Sequence, residues 1–162
     1  MKKALIALGA TVIAAPVLAD PEYVTIEMGI DVAKPADEVW EAVGGYCDIA
    51  EWLNVDCEIT SGDGGIGTVR VLAGGRVTEV LVAKTDLAYG YTQPPREGRF
   101  YDLYHGFMEA KPVDERSSRI VYTLVYDVSD KPDQAAKDAD IERRRGMFQT
   151  ALENMKRIAE AK

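Results

Sequence analysis

Gly67–Leu81 reads GTVRVLAGGRVTEVL, two runs rich in β-branched residues on either side of a Gly74-Gly75 pair. Both central residues of a type I′ turn need positive φ, so the pair predicts a two-residue hairpin. The register follows from the turn. Ala73 faces Arg76, Leu72 faces Val77, Val71 faces Thr78, and Arg70 faces Glu79. Directly opposed residues share a face, with Cβ atoms about 5 Å apart. One basic and one acidic residue therefore stand side by side, on the face that also carries Leu72, Val77 and Leu81. The opposite face carries Val69, Val71, Val80 and Val82 and would suit a core as well. Alternation alone leaves open which face turns inward.

Working outward, Tyr23–Val32 alternates, with Val24, Ile26, Met28, Ile30 and Val32 on one face, and reads as a half-buried strand. Lys34-Pro35-Ala36-Asp37 breaks it and opens a helix whose apolar stripe is Val39, Trp40 and Val43; Gly44-Gly45 stops that helix. Trp40 is read as core. Cys47–Trp52 predicts a second short helix, Val55–Thr60 a short strand, and Ser61–Gly65 a turn. After the hairpin, Ala88–Thr92 is a strand with Tyr89 and Tyr91 on one face, and Gln93–Gly98 is a Pro-rich loop. Tyr101–Lys111 and Arg119–Val128 are two long strands joined by a polar turn at Asp114–Ser118. Beyond a breaker at Asp130–Asp133 the chain is helical, with Phe148, Ala151, Leu152, Met155, Ile158 and Ala159 as its stripe. Gly146 inside that helix marks a bend or a close approach. The order is strand, two short helices, six strands, long helix. Hairpin-length links between consecutive strands imply an antiparallel sheet, and one amphipathic helix must lay its stripe on one face of it. The class is α+β, and the room between a curved sheet and its helix is a pocket.

The first nineteen residues read as a leader: Lys2 and Lys3 form a basic start, Ala4 to Ala15 an apolar run, and Val17 and Ala19 a small-residue cleavage site. The run is shorter than the ~20 residues of a spanning helix. The expectation is a signal peptide at 1–19, a single ligand-binding domain at 20–162, and a periplasmic or secreted location. Losing Lys2 and Lys3 takes the formal charge from −8 to −10. Such a chain is a poor electrostatic partner for nucleic acid or an anionic membrane. The two cysteines, Cys47 and Cys57, are expected to pair in an oxidising compartment, the alternative being two buried thiols. With one His and no Cys-x-x-Cys spacing, no metal is expected, and no cofactor is called for.

The order of elements, with several residues, resembles the SRPBCC superfamily, whose members have the START-like helix-grip fold. That superfamily includes polyketide cyclase/dehydrase and lipid-transport proteins. The matching residues are Pro35-x-x-x-Val39-Trp40, Tyr46 and Trp52, Cys57, Gly67-x-x-Arg70, Gly75, Glu79-x-Leu81, Tyr91 and the strand 101–110. The resemblance spans Tyr23 to Ala159. It implies a seven-stranded antiparallel sheet curved around the C-terminal helix. Where such exported members often carry a Pro shortly after the Trp, Leu53-Asn54 stands here.

In helix-grip ligand binders the acidic residue of this strand points inward. Carried onto Glu79, the resemblance makes it a pocket residue with Arg70 as its partner; the alternative is a cross-strand pair on the outer face. Of the strand tyrosines, Tyr91 and Tyr104 are expected inward, because Glu109 and Lys111 should face water, which turns Tyr104, Gly106, Met108 and Ala110 to the core. The same alternation puts His105 and Phe107 outside and demotes His105 as a catalytic base. In the superfamily the short helix caps the pocket mouth, so Trp52 either touches ligand or packs on the cysteine link. Met108, Leu81, Phe148 and Leu152 complete the expected apolar lining. Arg143-Arg144-Arg145 reads as a solvated face and is given no function.

The function expected is binding or carriage of a small lipophilic molecule between sheet and helix. The expected ligand residues are Trp52, Arg70, Glu79, Leu81, Tyr91, Tyr104, Met108, Phe148 and Leu152. A second reading is a cyclase/aromatase or hydrolase with Glu79 as acid/base and Tyr91 or Tyr104 as donor. Arg70 beside Glu79 opposes the raised pKa such a role needs. A third reading is a protein-interaction module with a filled core.

Overall fold

The computed structural model describes residues 20–95, 97 and 102–162. The expected leader at 1–19, Tyr101 and parts of the Pro-rich loop at 96 and 98 lie outside the described residues. The chain runs β1 (Tyr23–Val32), α1 (Ala36–Val43), α2 (Ile49–Trp52), β2 (Cys57–Ser61), β3 (Val69–Leu72), β4 (Val77–Lys84), β5 (Ala88–Thr92), β6 (Tyr104–Asp114), β7 (Ser117–Asp127) and α3 (Gln134–Ala161). The strands form one seven-stranded sheet in the order β1-β7-β6-β5-β4-β3-β2. Every neighbouring pair is antiparallel. The first two strands, β1 and β2, become the two edges, the last strand β7 pairs with both β1 and β6, and the helices cover one face.

That face is the concave one. On α3, Phe148, Ala151, Leu152, Met155, Ile158 and Ala159 are buried, the six residues of the predicted stripe. They meet Ile26 and Met28 of β1, Met108 and Ala110 of β6, and Ile120, Tyr122 and Leu124 of β7 in one core. Asp133 caps α3, its carboxylate accepting from the Ala136 amide at 2.8 Å. Gly146 makes no close approach: a Cβ there would meet open space. Trp40 is half-buried rather than core, because Val39, Ala42 and Val43 take the inner face of α1 and leave the indole to lean on Tyr89.

Cys47 and Cys57 are joined by a disulfide with Cα atoms 5.6 Å apart, tying the segment before α2 to β2. Among the described residues no helix is long and apolar enough to cross a membrane. Two residues beyond the end of α2 stands Asn54, whose φ of 55° lies in the left-handed region that Asn tolerates. A proline at this position, with φ locked near −65°, could not make that turn.

The hairpin has the predicted register, Arg70 opposite Glu79, Val71 opposite Thr78 and Leu72 opposite Val77. Its turn is longer than two residues. The ladder stops at Leu72 and Val77, and Ala73, Gly74 and Gly75 all take positive φ. The Asp56 carboxylate accepts from the Gly74 amide at 2.7 Å and holds the turn against the residue before β2. Because the loop is symmetric about Gly74-Gly75, the longer turn leaves the pairing unchanged.

Candidate functional site

The hairpin's inner face carries an ion pair with no access to water. Arg70 is 0% and Glu79 3% exposed. The Arg70 Nε and Nη2 groups donate to one Glu79 oxygen, Oε2, at 2.8 and 2.6 Å. Nη1 donates to the Tyr46 carbonyl oxygen. The other Glu79 oxygen, Oε1, accepts from the Gln93 amide at 3.1 Å. The guanidinium lies 4.2 Å from the Tyr46 ring centre and 5.0 Å from that of Tyr91. Burial works against its charge, but the Tyr89 oxygen and the Glu79 carboxylate more than offset it and raise the Arg70 pKa. Outward-facing Val82 is 39% exposed, which settles the face that alternation left open.

Around this pair stands a tyrosine wall. Tyr91 and Tyr122 share a hydrogen bond between their hydroxyls at 2.8 Å. Tyr122 stacks on Phe148 of α3 at 4.6 Å and meets Trp52 edge-on at 6.2 Å. Burial pushes the hydroxyls of Tyr91 and Tyr122 well above the usual tyrosine pKa, so both stay neutral donors and acceptors. Gly106 makes room for this wall, since a Cβ there would overlap the Tyr91 ring. Tyr104 and Tyr126 continue the wall outward, with ring centres 6.0 Å apart. Burial lifts each of them to about 12.

The wall ends in an open cavity of about 500 Å³ between the sheet and the N-terminal half of α3. Val77, Leu103, Tyr104 and Tyr126 give it apolar surface; Gln93 and Arg144 supply polar groups, and Arg76, Asp102, Asp127, Asp130 and Lys131 add charge of both signs. Gln93 therefore has one side on the cavity and its amide on Glu79, and it links the open space to the buried pair.

Of the residues expected to bind ligand, Tyr104 lines this cavity. Trp52, Arg70, Glu79, Leu81, Tyr91, Met108, Phe148 and Leu152 are gathered behind it, packed and buried on the same concave face. Trp52 stands inside the core against Tyr122, and its carbonyl accepts from the Asn154 amide group of α3 at 3.1 Å. Leu81 also borders a second cavity of about 480 Å³ with Trp40, Tyr46 and Tyr89. His105 and Phe107 lie on the convex side, as alternation requires: Gly106 and Met108 between and beside them are buried.

Arg144 is the residue that sequence reasoning missed. Arg143 and Arg145 are solvated, but Arg144 is half-buried, with its guanidinium 4.4 Å from the Tyr126 ring centre and 5.1 Å from that of Tyr104. The signal was its phase. Arg144 precedes Phe148 by four residues and so continues the buried stripe of α3. Asp140, one turn earlier, accepts from Arg144 Nε at 2.9 Å and from Arg143 at 2.6 Å. Burial alone would raise the Asp140 carboxyl; the two arginines outweigh it and bring its pKa down to about 2. Among the described residues no cluster of His, Cys, Asp and Glu could hold a metal ion.

A curved antiparallel sheet gripping a long C-terminal helix, with two short helices after the first strand and a cavity beside the helix, defines a helix-grip domain of the START-like kind. The sequence from 23 to 160 matches the family described as polyketide cyclase / dehydrase and lipid transport, and the chain belongs to that family, within the SRPBCC superfamily. Among solved structures it is similar to the ZhuI aromatase/cyclase from a Streptomyces species, with 22% identity, a TM-score of 0.65, and 86% of this chain and 94% of that one covered. It is similar to Ara h 8.0201 at 19% identity and a TM-score of 0.59, covering 83% and 98%. A Thermobifida fusca protein is 25% identical with a TM-score of 0.64, covering 82% and 90%. Among curated proteins no sequence matches this chain. Membership and fold together support a ligand-binding or cyclase-type role.

Proposed function

We propose that the chain binds a small lipophilic molecule in the cavity where the concave sheet meets α3. The observation that carries this reading is the cavity itself: about 500 Å³, opening onto an aromatic wall, with Gln93 and Arg144 among its polar groups beside Arg76, Asp102, Asp127, Asp130 and Lys131. That volume falls within the usual ~300–1,000 Å³ of small-molecule sites. Tyr104 bridges the open space to Tyr91, 6.4 Å away, so a ligand that displaces Tyr104 reaches the interior near the Arg70–Glu79 pair. The pair fixes the far wall rather than performing chemistry. Glu79 is held by Arg70 through Oε2 and by Gln93 through Oε1, an arrangement that suits a structural anion better than a proton carrier. The leader-like start and the Cys47–Cys57 bridge support an oxidising compartment, periplasmic or extracellular.

Native and denaturing mass spectrometry of unreduced protein purified from the periplasm tests the proposal. A reproducible lipophilic mass present only in the native spectrum supports it. Val77 points inward and lines the cavity. Val77→Trp should therefore abolish that mass while the protein still unfolds cooperatively. Bare protein in both spectra, with turnover of a cyclase-type substrate, would move the reading to an enzyme. An undiminished ligand mass in Val77→Trp would place the ligand elsewhere.

A further inference from the structure

We infer that the cavity takes the carboxylate of an amphiphilic acid, gripped by Arg144 of α3 and the Tyr126 hydroxyl of β7. The inference rests on the binding reading above and names the ligand class.

The argument starts from how Arg144 is held. A guanidinium has a π face, an Nε–H edge and two terminal amino groups. The face covers the rings of Tyr126 and Tyr104. The Nε–H is taken by Asp140. Among the described residues no hydrogen bond of proper geometry occupies the two terminal amino groups, although the Tyr104 hydroxyl lies close enough to the guanidinium for it to lower the tyrosine's pKa. Stacking and the Asp140 bond fix the plane of the group, so these donors are held in place at the cavity wall. A fixed fork of two parallel N–H donors matches a planar carboxylate better than a neutral hydroxyl or a diffuse dipole.

The cavity's own carboxylates do not satisfy this fork. Asp127 accepts from the Glu22 amide, the Ser129 amide and the Ser129 hydroxyl. Asp130 pairs with Lys131 at 2.7 Å, and Asp102 is likewise engaged. Arg76 turns its Nε back onto the Ala73 carbonyl of the hairpin turn at 2.8 Å.

A second observation points to a ligand at the same place. Tyr126 lines the cavity, is 2% exposed, and its buried hydroxyl makes no hydrogen bond of proper geometry, although the Asp140 carboxylate lies nearby. A buried hydroxyl without a partner is costly, and an incoming acceptor relieves that cost. Its proton stays in place across the working pH range, because burial and Asp140 push its pKa up to about 12. The site therefore offers a cation and a neutral donor beside apolar surface from Val77, Leu103 and the tyrosine rings. That is the complement of a carboxylate on an apolar body.

Isothermal titration of unreduced protein with dodecanoic acid and with 1-dodecanol tests this. The two share an apolar chain and differ at the head. The acid should bind about tenfold to a hundredfold tighter, the range of a charge-assisted contact. In Arg144→Gln, its folding checked by cooperative urea unfolding, the acid should lose its advantage and fall to within about twofold of the alcohol. Tyr126→Phe should weaken the acid more than the alcohol. Equal binding of acid and alcohol by the natural protein would overturn the inference and leave the binding reading standing. Binding of neither would overturn both. A preference for the acid that survives in Arg144→Gln would overturn the assignment to Arg144. Should Arg144→Gln bind neither probe, Arg144→Lys, which keeps a cation beside Asp140, decides. An acid preference retained but reduced supports the inference, and an unchanged one refutes the need for the guanidinium fork.

Discussion

Replacing Arg70 by methionine removes the cation and keeps most of the side-chain volume. The cost can be worked from what Arg70 holds. Two charge-assisted bonds to Glu79 Oε2, at 2.8 and 2.6 Å, are lost, together with the bond to the Tyr46 carbonyl. Glu79 stays buried with one donor left, Gln93 at 3.1 Å. Each charge-assisted bond is worth about 1.5–3 kcal/mol, and breaking a buried pair by removing one partner costs about 3–5 kcal/mol. A domain of this size has about 5–15 kcal/mol in total, so Arg70→Met should be folded but visibly weakened. The assay is urea unfolding of the disulfide-intact protein, followed by tryptophan fluorescence, with the midpoint and slope fitted separately. The second arm is Arg70→Met with Glu79→Leu. Removing both charges leaves no uncompensated ion, so the double variant should return to within about 1 kcal/mol of the natural protein or exceed it. Two results would refute the reasoning. One is a single-variant cost below about 1 kcal/mol, the range of an exposed pair. The other is a double variant no more stable than Arg70→Met, which would mean that the arginine acts by shape rather than charge.

Two further outcomes are expected. Reducing the Cys47–Cys57 bridge, which closes a loop of sequence separation 10, should lower stability by about 2.5–3 kcal/mol, read as a shift of the urea midpoint with and without reductant. Asp140 is held down to about 2 in the folded chain against an unfolded value near 3.9, so its contribution is complete above about pH 4 and is lost as pH falls towards 2. Thermal unfolding across that window should show the loss in the natural protein and a flatter profile in Asp140→Asn.

The elements were legible because their signals are local. The alternation of β1, the stripe of α3 and the glycine pair of the hairpin each depend on residues within a few positions of one another. The hairpin register came through even though the turn is longer than two residues, since the loop kept its centre at Gly74-Gly75. The misreadings lie where a residue's environment is made by distant chain. Trp40 shares a stripe with Val39 and Val43, yet the inner face of α1 has no room left for its ring. Arg144 was read with Arg143 and Arg145 as one charged run, although helix geometry points the three in different directions and only Arg144 meets the tyrosines of β6 and β7. Trp52 and Leu81 have the chemistry of a pocket lining; both are buried away from the cavity beside α3, and Leu81 borders the second cavity instead.

The sequence by itself determined that Arg70 and Glu79 stand opposite each other, because turn chemistry and a period of two dictate pairing without reference to the rest of the chain. It also determined that one long helix must cover one face of one sheet. Which face that is, only the tertiary structure decided. Both faces of the hairpin are apolar enough to be buried, and the choice was made by α3 and the β1–β7–β6 core, which lie far away in sequence. The same packing closed the Arg70–Glu79 pair off from water and left an open volume at the end of the tyrosine wall, where Arg144 stands. Burial and cavities are sums over many distant contacts, and no short stretch of sequence carries them.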